Sequence, residues 1–331
     1  MAGGQRSTIS SSLSKAGQEL GNRARKAPRR TYLLVLATAT LGLAGGIGAL
    51  NLVWAQADPE RTGAHQAGER ARLSPPPTRP ITVLLIGSDA DLLGQARNGA
   101  APSGPANSDA LLLARVDPAG ALRLLILPAD LAVQLPGEKP PQSLGSLYRE
   151  GGPALASSSV AALLGLESGQ PQRYVVVPRA ALRSLVDGLG GVEMNLEQPL
   201  RSTDKTQNFE VDLQAGLQNF RGNQVEQMVR FLEPSLGEQG RRIRQQLVLE
   251  GLFQQLSRPE QGSRLPELLT QLAPQVDTNL STGEALSLLS AATANPKQIR
   301  FDQLPLARPS KADQPLRQLQ KSAAVPLWPK G

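Results

Sequence analysis

The longest apolar stretch comes early. The 27 residues from Thr31 to Ala57 carry no charge and follow directly on Arg23, Arg25, Lys26, Arg29 and Arg30. At ~1.5 Å of rise per residue, about 20 helical residues cross a ~30 Å hydrocarbon layer, so this segment is long enough to span. The basic flank predicts a cytoplasmic tail over 1–30, a single-pass transmembrane helix over 31–57 and a main domain outside the cytoplasm, on the periplasmic side of the cell membrane. Ala55-Gln56-Ala57 also resembles the cleavage site of a secretory signal, whose apolar region of ~7–15 residues is shorter than this one. Either reading leaves the main domain outside. Gly42 and Gly46 form a small-xxx-small pair that lets two such helices approach closely, which admits a homodimer.

Beyond residue 80 the pattern alternates between strand and helix. Ile81–Ile86 is a buried-strand run ending at Gly87. Ala110–Val116 and Ala121–Leu127 are two more, joined by Asp117-Pro118-Ala119-Gly120, a turn sequence suited to a hairpin. The pattern then predicts a helix over Pro153–Leu164, a strand over Arg173–Val177, a helix over Arg179–Leu189 closed by Gly190-Gly191, and an extended run over Val192–Leu196. Three helical stretches follow, Gly222–Arg230, Gly240–Arg258 and Thr282–Ala292. Residues 58–80, with Pro75-Pro76-Pro77, read as a Pro-rich linker, and 307–331, with four prolines and little periodicity, as a flexible tail. Residues 81–306 are long enough for one domain with a well-buried core, and the expected architecture is a layered α/β sandwich.

Charge changes the picture less than its total suggests. Of the net +7, residues 1–30 hold +6, so the basic excess belongs to a juxtamembrane tail that anionic lipid headgroups attract, and the main domain carries no nucleic-acid footprint. There is no cysteine, and the single histidine, His65, lies in the linker. Thiolate catalysis, zinc–thiolate sites and serine–histidine chemistry are thereby excluded from the domain. Its remaining chemical means are carboxylates, arginines and a hard cation.

The most specific segment is Gly240-Arg241-Arg242-Ile243-Arg244-Gln245-Gln246, preceded by Glu238 and followed by Leu247, Leu249, Leu252 and Leu256. At 100° per residue, Glu238, Arg241, Arg244 and Gln245 fall on one side of the helix, with Ile243 and the leucines able to turn inward. Two guanidinium groups on one face match phosphate oxygens through paired charge-assisted hydrogen bonds; a solvated charged face is the competing reading.

Several segments, in order, are similar to the LytR-CpsA-Psr family of bacterial envelope proteins, over roughly Ile81 to Leu256. They are Val83-Leu84-Leu85-Ile86-Gly87-Ser88-Asp89, Asn107-Ser108-Asp109, Leu127-Pro128-Ala129-Asp130, Tyr148 with Gly151-Gly152, and Leu185–Glu193. Leu213–Gly216, Gly222-Asn223-Gln224, Val229-Arg230-Phe231 and Gly240-Arg241 with Arg244-Gln245-Gln246 complete the series. The resemblance implies an α/β sandwich with an apolar lipid tunnel. It also implies a phosphotransferase-type glycan ligase that moves a glycan from polyprenyl pyrophosphate to a hydroxyl of peptidoglycan or another wall acceptor. A non-catalytic member that binds lipid-linked glycan or scaffolds an envelope assembly is the alternative. By the same resemblance Asp89 and Asp109 hold Mg2+ (or Mn2+) and act in catalysis with Arg241, while Arg230, Arg241, Arg244 and Gln245 bind pyrophosphate.

The chain departs from that pattern where it counts. Family members carry arginine at the positions of Asn107, Ala129 and Leu232, so three cations expected near the pyrophosphate are absent. Arg97, Arg149 and Arg242 are the candidates to replace them from other backbone positions.

Overall fold

A computed structural model describes residues 75–328, apart from 76, 96–103, 138–139, 206, 234, 295–298, 309–314 and 324. The basic tail, the membrane segment, residues 58–74 of the linker and Arg97 lie outside the described residues. No helix among those described is long and apolar enough to cross a membrane.

The apolar runs assemble a six-stranded sheet. β1 (Ile81–Ser88), β2 (Ser108–Val116) and β3 (Leu122–Leu127) form an antiparallel meander, with Val116 opposite Leu122 across the expected turn. β6 (Arg173–Val177) runs parallel to β1, β12 (Arg300–Asp302) parallel to β3, and β11 (Asp277–Thr278) lies antiparallel outside β6. β4 (Ala132–Val133) and β5 (Gln142–Ser143) make a separate two-stranded ladder.

Period-two alternation assigns the faces. On one side Leu84, Ile86, Leu111, Leu113, Leu125 and Leu127 meet α1 (Ser146–Leu164) through Leu147, Ala156, Val160 and Leu164. On the other, Leu112, Ala114, Val116, Leu122 and Leu124 meet α6 (Thr282–Ala294), together with Leu249 and Phe253 of α4 (Gly237–Leu256). Each fully buried leucine or isoleucine contributes about 1.5–3 kcal/mol, so the two layers fix the strand register. The result is the layered α/β sandwich that the sequence predicts.

A second core lies beside it. It joins α2 (Arg179–Gly188), β7 (Val192–Leu196), β8 (Leu200–Asp204), β9 (Phe209–Leu213), β10 (Gly216–Phe220), α3 (Gly222–Arg230) and α5 (Leu265–Leu272) to the inner stripe of α4. β7 pairs with β10, and β8 pairs with β9.

The helix expected from Pro153 begins there only as a second segment. Gly151 and Gly152 break α1, and Gly152 adopts φ 62° and ψ −157°, a conformation open essentially to glycine alone. The added first turn, from Ser146, presents Tyr148 and Arg149.

The C-terminal stretch, expected to be flexible, is stitched to the domain where it is described. The Arg317 amide donates to the Asp130 carbonyl and its own carbonyl accepts from the Ala132 amide, both at 2.8 Å; the Leu327 amide donates to the Leu164 carbonyl, also at 2.8 Å. Trp328 is buried in the α1 layer with Leu319 and Leu327 packed nearby. The prolines erase helical and strand periodicity, while a few large apolar side chains supply anchorage that a periodicity reading does not register. The domain therefore runs past residue 306.

Candidate functional site

Strand ends converge at one edge of the sandwich. There the exit of β1 (Ser88, Asp89), the entry of β2 (Asn107 to Asp109) and the exit of β3 (Pro128 to Asp130) meet the first turn of α1. Backbone bonds fix the convergence. The Asp89 amide donates to the Asn107 carbonyl at 3.1 Å, the Ser108 amide to the Gly145 carbonyl at 3.1 Å, and the Gly145 amide to the Ala129 carbonyl at 2.8 Å. Gly145 is required because an added Cβ would stand 2.5 Å from the Ser108 carbonyl oxygen.

The two predicted carboxylates differ in setting. Asp89 is 6% exposed and its Oδ1 accepts from the Asn107 amide at 2.8 Å. The Asp109 side chain is 44% exposed and its Oδ2 lies 3.6 Å from Arg241. Helix α4 brings in the rest: Arg241 also pairs with Glu238 at 2.7 Å, and the Gln245 amide donates to the Asp109 carbonyl at 3.2 Å. Burial raises the Glu238 carboxyl above its ordinary value; Arg241 opposes the shift, while Asp130 and Asp109 reinforce it. Tyr148, set against Ser88, is likewise raised by burial, with the charges of Asp277 and Asp89 adding to the effect.

Around Glu226 a second cluster forms. Its carboxylate, 5% exposed, accepts from Arg179 at 2.8 Å, from Arg230 at 3.0 Å, and from Arg183. Arg183 reaches on to Asp91 at 2.7 Å, and Arg179 Nε donates to the Asp89 carbonyl at 2.8 Å, which ties this cluster to the predicted site. Burial would raise the Glu226 carboxyl, but hydrogen bonds from Arg183 and Arg179 outweigh it and hold the group below the usual carboxylate range. Arg230 is further engaged: it donates to Gln207 at 2.6 Å and stacks on Phe209 at 3.6 Å.

Arg244 does not join Arg241. It is 8% exposed, donates to the Phe231 carbonyl at 3.0 Å, lies 3.5 Å from Glu233 and stacks over Phe231 at 4.8 Å. It thus anchors the segment that follows Arg230. The assignment of helix faces is corrected accordingly. The buried stripe of α4 is Gly240, Arg244, Val248, Gly251 and Leu252, while Ile243, expected inside, is 57% exposed. The helix starts three residues earlier than expected, and its Gly240 and Gly251 let neighbouring side chains close in along that stripe.

The structure thus gathers Asp109, Glu238, Arg241 and Gln245 in one set, places Asp89 and Arg230 at either side of the Glu226 cluster, and sets Arg244 apart. Sequence reasoning missed Arg179, Arg183, Glu226 and Asp91. A signal existed for Glu226, which sits on the i, i+3, i+4 inward stripe of α3 with Gly222 and Val225, where a charge demands partners. Among the described residues, no group of three or more His, Cys, Asp or Glu side chains is poised to hold a metal.

Comparison with known proteins places the fold and the family. A polyisoprenyl-teichoic acid–peptidoglycan teichoic acid transferase, TagU, of Enterococcus faecalis is 29% identical over 205 residues, covering 61% of this chain and 62% of the relative. A probable cell wall biosynthesis protein, LcpB, of Corynebacterium glutamicum is 28% identical over 245 residues, covering 70% of this chain and 56% of the relative. The chain therefore spans less than two thirds of the length of either. Among solved structures, TagV of B. subtilis superposes with a TM-score of 0.59 at 18% identity, over 73% of this chain and 91% of that one. A LytR-Csp2A-Psr enzyme from Actinomyces oris superposes with 0.57 at 17% identity, over 78% and 93%. These likenesses establish the fold, and the LytR_cpsA_psr family model matches residues 52–323, so the chain belongs to the LytR_cpsA_psr family.

Proposed function

We propose that this chain is a membrane-anchored transferase of the cell envelope, taking a glycan from a polyprenyl-pyrophosphate carrier and attaching it to a hydroxyl of peptidoglycan or another wall acceptor. The observation that carries the reading is the juxtaposition of Asp109 with Arg241 and Gln245, both more than 130 positions further along the sequence, at one edge of the sheet. The names of the relatives, a teichoic acid transferase and a cell wall biosynthesis protein, agree with it. Residues 31–57 would supply the anchor.

In this scheme the acceptor hydroxyl attacks the sugar-linked phosphorus. A new P–O bond forms, the bond to the polyprenyl phosphate breaks, and the hydroxyl proton passes to a carboxylate, for which the exposed Asp109 is best placed. Arg241 offsets charge on the pyrophosphate, and Gln245 holds the Asp109 backbone. Asp89 and Asp109 would hold Mg2+ or Mn2+, which when bound would neutralise phosphate charge. Arg230 reaches a phosphate only by sharing itself with Glu226.

One observation favours a second reading, a non-catalytic protein that binds lipid-linked glycan. Arginine is absent at 107, 129 and 232, and Arg230 and Arg244 are already engaged inside the protein. Binding of a short polyprenyl pyrophosphate separates residue roles. Arg241→Ala should weaken it at least about tenfold, while Arg201→Ala, an exposed change elsewhere, should not; equal effects would refute the assignment.

A further inference from the structure

The first turn of α1 carries an arginine that no other described residue answers. Arg149 is partly exposed, but its Nε and Nη2 are sealed from solvent and neither has a hydrogen-bond partner. Among the described residues it makes no ion pair either. The other arginines of this edge are engaged: Arg179, Arg183 and Arg230 on Glu226, Arg241 on Glu238 and Asp109, Arg242 on Asp130, and Arg244 on the Phe231 carbonyl. Sealing guanidinium donors without an acceptor is costly, because water is given up and nothing takes its place.

The two orphaned donors form one working edge. Nε–H and an Nη2–H point the same way and can make parallel bonds to two oxygens of a single oxyanion. Arg123 uses the same edge on Asp302, with Nε donating to Oδ2 at 3.0 Å and Nη2 to Oδ1 at 3.1 Å. At Arg149 no carboxylate takes that place.

Helix geometry sets where this edge reaches. Side chains on a helix lean toward its N-terminus and cover the preceding turn, and Arg149 stands one turn beyond Gly145. Gly145 is held to the Ala129 carbonyl through its amide, and its own carbonyl accepts from the Ser108 amide and hydroxyl. Ser108 precedes Asp109, the carboxylate that faces Arg241, so Arg149 leans toward the open cluster. Directly after it, Gly151 and Gly152 leave helical geometry, so two residues with the freest backbone join this short turn to the rest of α1. A small shift of the turn is enough to present the sealed edge.

We propose that Arg149 is a further substrate-binding residue, which grips one phosphate of a prenyl pyrophosphate through Nε and Nη2. The proposal rests on the transferase reading, in which the oxyanion beside Arg241 is a pyrophosphate, and adds to it a contact from a different element.

Calorimetric titration of the full chain in detergent micelles tests this, with geranyl pyrophosphate and inorganic pyrophosphate as separate probes. Arg149→Met, which keeps the length of the side chain without its donors, should weaken binding about tenfold or more. Arg149→Lys, which keeps the charge without the fork, should recover little of it. A loss with both probes assigns the contact to any pyrophosphate, and a loss with geranyl pyrophosphate alone to the carrier; either supports the proposal. Without ligand, Arg149→Met should melt at or above the parent temperature, since no internal bond is lost. A lowered melting temperature with unchanged affinity would make Arg149 structural and overturn the proposal. Parent-like binding by Arg149→Met, with Arg241→Ala still weakened, would overturn it while leaving the transferase reading in place. Failure of the parent to bind either probe would overturn both.

Discussion

Two glutamates at the same edge of the sandwich, Glu226 buried and Glu238 half-buried, behave in opposite ways. Glu226 receives three guanidiniums and is held ionised below its ordinary range; Glu238 receives one, Arg241, and burial drives it upward. Around Glu226 every charge is answered from within, which makes a rigid bracket between α2, α3 and the segment carrying Asp89 and Asp91. Around Glu238 the carboxylates of Asp109 and Asp130 crowd together with Arg241 and Arg242 interleaved. Such an arrangement gains from a ligand that redistributes its charge. One cluster is closed on itself, and the other keeps carboxylates that share too few cations.

The largest expected effect breaks the bracket. Glu226→Gln strips the shared partner from three arginines, and breaking a buried pair costs about 3–5 kcal/mol, so thermal unfolding should shift down by roughly 10 °C. An unchanged melting temperature would show that the cluster is not structural. Next in size is the restoration of lost charge. Ala129→Arg with Leu232→Arg should raise turnover about tenfold or more, because each preorganised contact of this kind is worth roughly 10²–10³ in rate. No gain would mean that these positions do not limit the reaction.

Acid titration of stability sharpens the contrast by sign. The lowered Glu226 contributes stability above its unfolded value of about 4.3, and that contribution is lost as pH falls through its lower folded value. The raised Glu238 does the reverse: its ionised form is a cost at neutral pH, and the cost disappears as pH falls through its raised folded value to its unfolded value. At pH 7, Glu226→Gln should therefore melt below the parent and Glu238→Gln slightly above it; on acidification the Glu238 difference should close first, by about pH 4.3, and the Glu226 difference only below that. Differences of the same sign would break the comparison. The smallest effect is Mg2+ binding: a melting temperature raised by millimolar Mg2+ and insensitive to it in Asp109→Ala would place the cation in the open cluster.

Much of the fold was legible because it rests on period and turn chemistry. The three central strands, the Asp117–Gly120 turn, α2, α3 and the span of α1 after Pro153 follow the sequence pattern. β8, β9 and β10 did not show, because their outward faces are polar and their inward residues few; Leu200, Val211, Leu213 and Phe220 carry the pairing. α5, only eight residues long, was hidden between prolines. At the site, motif order brought out Asp109, Arg241 and Gln245, which do come together. Arg244 was misplaced because a wheel treats guanidinium as outward, whereas a ring and a carbonyl at Phe231 receive this one. The Glu226 cluster required knowing that α2 and α3 lie side by side, which the sequence does not state.

The most direct test is transfer itself. The purified full chain, Mg2+, a short polyprenyl-pyrophosphate oligosaccharide and peptidoglycan fragments should yield a covalent glycan–peptidoglycan product, reduced about 10²–10³-fold in Arg241→Ala without loss of folding. Carrier bound but no product formed, or product formed equally by Arg241→Ala, would contradict a transferase built on the open cluster.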